Sequence, residues 1–389
     1  MVTGMFNTIL ILLMVCVAVH GVFHFFRLPA ILGYIIVGML FGPQGFAVIP
    51  DTLNVQYLAE FGIVFLLFMV GLEFSVAKLR QMRKAVIGYG GLQVLFCIMV
   101  TAFIALFFKM SFAGALIVGC VVAMSSTAIV LHQLTERHEL TAPYARNAVG
   151  ILLFQDLAVV PCLILIPELA NGMQSSLLLE LSWAFLKGIL AVVFILGLGR
   201  WIIRPIFHEI ASKYNRELST LLILLLTLGA AWLTEHLHLS MGLGAFMAGM
   251  LLSESDFKRQ IEADIRPLRD VLLGLFFITI GMAFKINVLA YAWQWVLLLF
   301  IALIFFKFVV IFLLGLKYNG QKIDALRTGI ILAQGGEFGI VLVNLAVSYH
   351  LFSADYGQVM LGAILMSMAL APLLFRHNYA LARWISRKA

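Results

Sequence analysis

Between Ala148 and Pro167 the chain runs through twenty residues that are apolar apart from the neighbours Gln155 and Asp156. About twenty such residues are what a helix needs to cross a bilayer. In that setting the backbone must satisfy its own hydrogen bonds, which leaves helices as the natural architecture. A carboxylate at the centre of such a span costs roughly 2.5–3.5 kcal/mol on insertion scales. A charge kept there at that cost marks a candidate site.

The rest of the sequence repeats the pattern. Hydrophobic residues make up 63% of the 389 and charged residues 12%, against roughly 45–50% and 25% in soluble domains. Apolar runs broken by charge, Pro and Gly predict thirteen spans: 5–26, 29–49, 57–76, 85–108, 112–133, 146–168, 181–203, 217–236, 239–252, 270–286, 291–315, 326–349 and 356–375. The chain reads as one all-α polytopic transmembrane domain, residues 1–389, with no room for a sizeable soluble domain and no cleavable signal peptide. Cys16, Cys97, Cys120 and Cys162 all lie inside apolar runs, which argues against disulfides and metal clusters.

The net charge of +7 suggests nucleic acid only until the charges are placed. Of 26 Lys and Arg residues, 22 fall in loops on one side of the predicted spans or in the basic tail from Arg376 to Lys388. The positive-inside rule then puts the N-terminus outside and the C-terminus in the cytoplasm. The partners this implies are membrane lipids, anionic ones included, and not nucleic acid.

The chain also contains an internal repeat. Leu28-x3-Leu32-Gly33-x4-Gly38-Met39-Leu40 returns 211 residues later as Leu239-x3-Leu243-Gly244-x4-Gly249-Met250-Leu251, and at the same offset Ile129-Val130-Leu131 meets Ile340-Val341-Leu342 and Pro161 meets Pro372. Spans 2–6 therefore pair with spans 9–13. The shift is seven spans, an odd number, so the copies are inverted across the bilayer. This divides the chain into a first repeat at 28–170, linker spans at 171–238 and a second repeat at 239–378. Inverted repeats characterise secondary transporters, whose site lies near mid-membrane between the copies.

Two stretches superposed by the repeat carry polar residues at mid-span: Met124-Ser125-Ser126-Thr127-Ala128 and Gln334-Gly335-Gly336-Glu337-Phe338-Gly339. Both are poor helix interiors and predict a pair of crossing, broken helices. Their half-helix ends would aim partial charges at Asp156. Lys307 stands mid-span in Phe305-Phe306-Lys307-Phe308-Val309, too deep to snorkel easily, and Asp156 is the predicted ion-pair partner. Glu337 is expected to balance half-helix dipoles, while Gln93, His20 and His24 read as packed polar residues and Glu73 as a partner of Lys78 or Arg80.

The expected cation or proton ligands are Asp156, Gln155, Ser125, Ser126 and Thr127, with Lys307 as counter-ion and Gln334 and Glu337 as polar residues of the second break. Desolvation disfavours an ionised carboxylate and a nearby ammonium favours it, so one acid can hold a proton or a cation but never both. That is antiport. Neutral Gln155 leaves one formal negative charge, and a weak field favours a cation that dehydrates cheaply, potassium over sodium.

At these residues the sequence resembles the monovalent cation:proton antiporter superfamily, and within it the glutathione-gated potassium efflux (Kef-type) branch. The carrying motifs are Leu153-Phe154-Gln155-Asp156, Ser125-Ser126-Thr127-Ala128-Ile129, Leu273-Gly274-Leu275-Phe276-Phe277-x3-Gly281-Met282 and Gln334-Gly335-Gly336-Glu337-Phe338, and the likeness runs from about 28 to 375. The resemblance implies a sodium/proton-antiporter-like fold, a homodimer in a bacterial inner membrane, and elevator-like alternation of access. It implies no covalent cofactor, with potassium as substrate. It also makes Glu262-Ala263-Asp264-Ile265-Arg266-Pro267 an acidic regulatory loop, with Glu262 and Asp264 facing a cytosolic regulatory domain or subunit. In that branch the nucleotide and glutathione sites belong to a C-terminal domain, and no strand-then-Gly-x-Gly pattern for it occurs before Ala389. The alternatives are a sodium/proton antiporter and a ligand-gated cation channel. An enzyme is disfavoured, because no His-Glu-x-x-His, paired aspartate or Ser-His constellation falls within the spans.

Overall fold

In the computed structural model the described residues are 30–43, 45–47, 53–73, 82–170, 216–236, 241–253, 255, 257–282, 284–318 and 321–388, with isolated positions between 10 and 25 and at 197 and 209. All regular structure among them is helical. In chain order the helices are α1 (Ala30–Phe41), α2 (Leu53–Glu73), a π-helical turn (Lys84–Gly90) leading into α3 (Gly91–Phe107), α4 (Phe112–Ala123), α5 (Thr127–Glu136), α6 (Pro143–Ala170) and α7 (Arg216–His236). They continue as α8 (Met241–Leu252), α9 (Lys258–Met282), α10 (Ile286–Tyr318), α11 (Lys322–Leu332), α12 (Glu337–Ser348) and α13 (Ala354–Lys388).

Six helices among the described residues are long and apolar enough to cross a bilayer. The count is seven if α11 and α12, bent by 44° at their junction, form one span. The chain is a multi-pass membrane protein. Two predicted spans, 181–203 and most of 5–26, lie outside the described residues, as do His20, His24 and the side chain of Glu73. Lipid-facing surfaces are apolar, as on α3, where Phe103 and Phe107 are exposed, and on α10, where Trp295 and Phe305 are exposed.

The chain forms two compact units. In their described parts the first comprises 40–81 and 163–283, the second 10–39, 82–162 and 284–389. In the first, α2, α7, α8 and α9 share one core built from Phe65, Phe68, Met69 and Leu72 with Ile223, Ala248, Ile261 and Ile265. The α2–α8 crossing is so close that a Cβ on Gly71 would strike the Phe246 carbonyl, and one on Gly249 the Phe68 carbonyl. Glycines at a helix contact let the backbones approach in this way.

This unit corrects one expectation. Residues 258–269, read from their charge as a cytoplasmic loop, are the opening turns of α9, which continues through Pro267. Ile261 and Ile265, four residues apart, are buried in the core and turn that stretch into one face of a helix. Glu262 pairs with Arg266 one turn on, and the Asp264 carboxylate accepts from Thr220 of α7 at 3.5 Å. The regulatory-loop residues therefore sit on a packed helix.

The second unit holds the polar residues. Tyr89, Val130, Leu134, Tyr144, Ile151, Ile311, Ile331 and Phe375 join the π-helical turn, α5, α6, α10, α11 and α13 in one core. The π-helical turn brings the Tyr89 hydroxyl to the Ile311 carbonyl at 2.5 Å. At one end of the unit Arg327 of α11 reaches Glu139 at 2.7 Å and Asn378 of α13 at 2.8 Å, with its guanidinium 3.7 Å over the Tyr144 ring. These contacts hold the α5–α6 turn, α11 and α13 in fixed register.

Candidate functional site: two interrupted helices

The helix that starts at Phe112 stops at Ala123, runs extended through Met124 to Ser126, and resumes at Thr127. Ser126 caps the second half, its Oγ accepting from the Ile129 N–H at 3.3 Å. The second break lies between Leu332 and Glu337. Its Gly336 has φ −139°, open to any residue; what excludes a side chain is space. A Cβ there would lie 2.5 Å from the Ser125 carbonyl oxygen and 2.7 Å from the Ser126 nitrogen. The two interruptions thus touch backbone to backbone, as the sequence predicted. Gly336→Ala is expected to force them apart and lower stability by about 1–3 kcal/mol, the usual cost of overpacking. A melting curve indistinguishable from the parent would show that the contact yields freely.

Unwinding leaves four half-helix ends in the protein interior. Lys307 of α10, fully buried, serves the two C-terminal ends. Its Nζ donates to the Met124 carbonyl just past α4, to the Gln334 carbonyl just past α11 at 2.8 Å, and to Ser125 Oγ at 2.9 Å. An ammonium has three donors, and all three are taken. The hydrogen bonds of the ammonium expected to pair with Asp156 thus go to the ends of the broken helices. There the negative ends of two helix dipoles supply counter-charge.

Glu337 serves the opposite ends. It occupies the first turn of α12, and its Oε1 accepts from the Ala128 N–H of α5 at 3.4 Å. This is the dipole-balancing place expected of it. Its Oε2 and both polar atoms of the Gln334 side chain are buried without a hydrogen-bond partner among the described residues.

Asp156, 3% exposed on α6, lies beside the N-terminus of α5. Thr127 Oγ1 donates to its Oδ1 at 3.0 Å and approaches Oδ2 at 3.2 Å. Asp156, Thr127, Ser125, Ser126, Gln334 and Glu337 are thus gathered at the two breaks. Gln155, the other expected ligand on α6, is hydrogen-bonded through both amide atoms. Its Oε1 accepts from the Ser125 N–H at 2.8 Å and its Nε2 donates to Gln93 Oε1 at 2.7 Å. Ser125 Oγ in turn donates to the Leu332 carbonyl at 2.9 Å.

Sequence reasoning missed Ser367 of α13, whose Oγ accepts from the Gly335 N–H at 2.9 Å. The signal was present: Ser367 lies 211 residues after Asp156, and Gly335 lies 210 after Ser125. Each break has its freed N–H held by a side chain from the corresponding helix, α6 in one case and α13 in the other. Gln93 was set aside as a packed polar residue; its place in a run from Gly91 to Phe107 that is otherwise nearly free of polar side chains was the available clue.

Helices broken at mid-length, with an ammonium on one pair of ends and carboxylates on the other, are a feature of membrane proteins of the secondary-transporter class. The chain belongs to the sodium/hydrogen exchanger transmembrane family, whose model matches residues 9–376. That is a family of transporters, not enzymes. The chain is 38% identical over 359 residues to a protein of Alkalimonas amylolytica named as a K(+) efflux antiporter, KefB. The match covers 92% of this chain and 54% of the relative, so the chain spans about half the relative's length. The Kef-type resemblance is borne out. Among solved structures, the sodium proton antiporter MjNhaP1 from Methanocaldococcus jannaschii at pH 8 is similar over 97% of this chain and 98% of its own, with a TM-score of 0.75 at 17% identity. That likeness establishes an antiporter-like fold.

Proposed function

We propose that the chain exchanges potassium for protons across the membrane, with Asp156 holding either the cation or the proton. The observation that carries this is the Asp156 carboxylate, nearly excluded from solvent, bonded to Thr127 where two interrupted helices meet. Thr127 gives it a hydroxyl, and Ser125 and Ser126 belong to the extended break that leads into Thr127. Gln155 adds no charge, which favours a weakly hydrated cation, and the KefB relative is named for potassium efflux. Lys307 neutralises the half-helix carbonyls.

Access alternates, on this reading, by elevator-like movement within thirteen spans built as an inverted repeat, 28–170 and 239–378 about the linker 171–238. Recurrence of helix starts supports the repeat: α6 and α13 begin at 143 and 354, and α4 and α11 at 112 and 322. The proposed setting is a homodimer in a bacterial inner membrane, N-terminus outside and C-terminus in the cytoplasm. Glu262 and Asp264 on α9 would meet a cytosolic regulatory domain or subunit that carries the nucleotide and glutathione sites.

The test is proton movement in proteoliposomes under an imposed pH gradient, with potassium, rubidium and sodium compared at equal concentration. Potassium is expected to drive proton exchange at the lowest concentration. Sodium alone doing so would reassign the substrate, and cation current without proton movement would replace the antiporter with a channel.

A further inference from the structure

The first break exposes two backbone groups of opposite polarity: the Ala123 carbonyl, which has lost its partner four residues on, and the Ser125 N–H. Two glutamines span the distance between them. Gln93 Nε2 donates to the Ala123 carbonyl at 3.2 Å and also approaches Cys97 Sγ at 3.2 Å. Gln93 Oε1 accepts from Gln155 Nε2 at 2.7 Å, and Gln155 Oε1 accepts from the Ser125 N–H at 2.8 Å. Both side chains are buried, Gln93 at 0% and Gln155 at 1% exposure. Because an acceptor stands at one end of the relay and a donor at the other, only one orientation of each amide satisfies it.

We infer that Gln93 is a positioning residue for the ion site: through Gln155 it fixes the extended Met124–Ser126 segment and thereby sets the cation affinity of Asp156. This rests on reading Asp156 as the cation and proton site. The segment fixed by the relay carries Ser125 Oγ, the acceptor for Lys307, and leads directly into Thr127, the hydroxyl bonded to Asp156. Gln93 itself touches neither Asp156 nor Lys307 through any hydrogen bond. Its effect passes through the backbone of the break.

Two substitutions separate this role from plain core packing. Gln93→Leu keeps the volume and removes its hydrogen bonds to the Ala123 carbonyl, Cys97 Sγ and the Gln155 amide. It leaves a carbonyl and an amide buried without partners, enough to raise the cation KM about tenfold, with the maximum exchange rate within about twofold of the parent. Gln93→Glu is more discriminating. As a neutral acid it offers the Gln155 amide a carbonyl oxygen and the Ala123 carbonyl an O–H, reproducing the relay. As a carboxylate it has no donor and faces the Ala123 oxygen with a negative charge. Cation KM in Gln93→Glu is therefore expected near the parent value at acidic pH, rising relative to the parent as pH increases. Gln93→Leu should show no such additional pH dependence.

The measurement is cation-dependent proton exchange by the full chain in proteoliposomes at several pH values, with Asp156→Asn as reference. If Gln93→Leu lowers only the maximum rate, or if Gln93→Glu follows the parent KM at every pH, the positioning role is wrong while the Asp156 assignment stands. If Asp156→Asn still exchanges, the assignment fails and the inference with it.

Discussion

Asp156→Asn is expected to abolish cation-coupled proton exchange while leaving the protein folded. The substitution keeps the side chain's shape, and Thr127 Oγ1 can still donate to the remaining oxygen, as it now does to Oδ1 at 3.0 Å. What disappears is one negative charge and the proton that Asp156 is proposed to release. A monovalent cation about 4 Å from that charge gains about 4 kcal/mol at an effective dielectric of 20. Removing the charge lowers cation affinity by about a thousandfold. Exchange should then fall below detection at any practical potassium concentration. Stability moves the other way or not at all, because a buried ion is costly to desolvate and an amide is much less so. Melting temperature in detergent, read beside exchange in proteoliposomes, separates the two effects. A folded Asp156→Asn protein with substantial exchange would remove Asp156 from the mechanism. A second readout is proton release when potassium is added to unbuffered protein: release by the parent and none by the variant.

Several parts of this arrangement were legible in the sequence because they break a local rule. A carboxylate in Ala148–Pro167, an ammonium among phenylalanines, and Ser-Ser-Thr or Gly-Gly at mid-span each violate what lipid asks of a helix, and each proved to lie at the interruptions. What the sequence could not show is where the ammonium's hydrogen bonds go. Charge pairing suggests a carboxylate for Lys307, yet the carbonyls of Met124 and Gln334 become acceptors only once the helices have unwound. Composition contains no term for a freed backbone group. The opening of α9 was misread for the opposite reason. The charges of residues 258–269 suggested a loop, whereas Ile261 and Ile265, four residues apart, are buried in the core and make the stretch one face of a helix. Gln93 has no sequence signature beyond being polar in an apolar run and Ser367 only its place one repeat after Asp156, and the positions of the breaks give both a task.

The second large effect concerns Lys307, where the observed geometry and the ion pair first expected from the sequence predict different outcomes. Lys307→Met preserves most of the volume, so cavity formation contributes little. It leaves the Met124 and Gln334 carbonyls without their ammonium donor and removes the positive charge facing two C-terminal dipole ends. Ser125 Oγ loses its donor as well, although it still donates to the Leu332 carbonyl. Each buried acceptor left unpaired costs about 1–3 kcal/mol, so the loss should reach several kcal/mol and appear as a clear fall in melting temperature. If Lys307 acted chiefly as counter-ion to Asp156, neutralising both residues together would restore stability, since neither charge would then be stranded. With the ammonium bonded to backbone carbonyls, the carbonyls remain stranded whatever occupies position 156. The Lys307→Met, Asp156→Asn double variant is therefore expected to melt as low as Lys307→Met alone, with a coupling energy within about 0.5 kcal/mol of zero. Recovery of the parent melting temperature in the double variant would return Lys307 to the role of ion-pair partner and take from it the task of holding the two broken helices together.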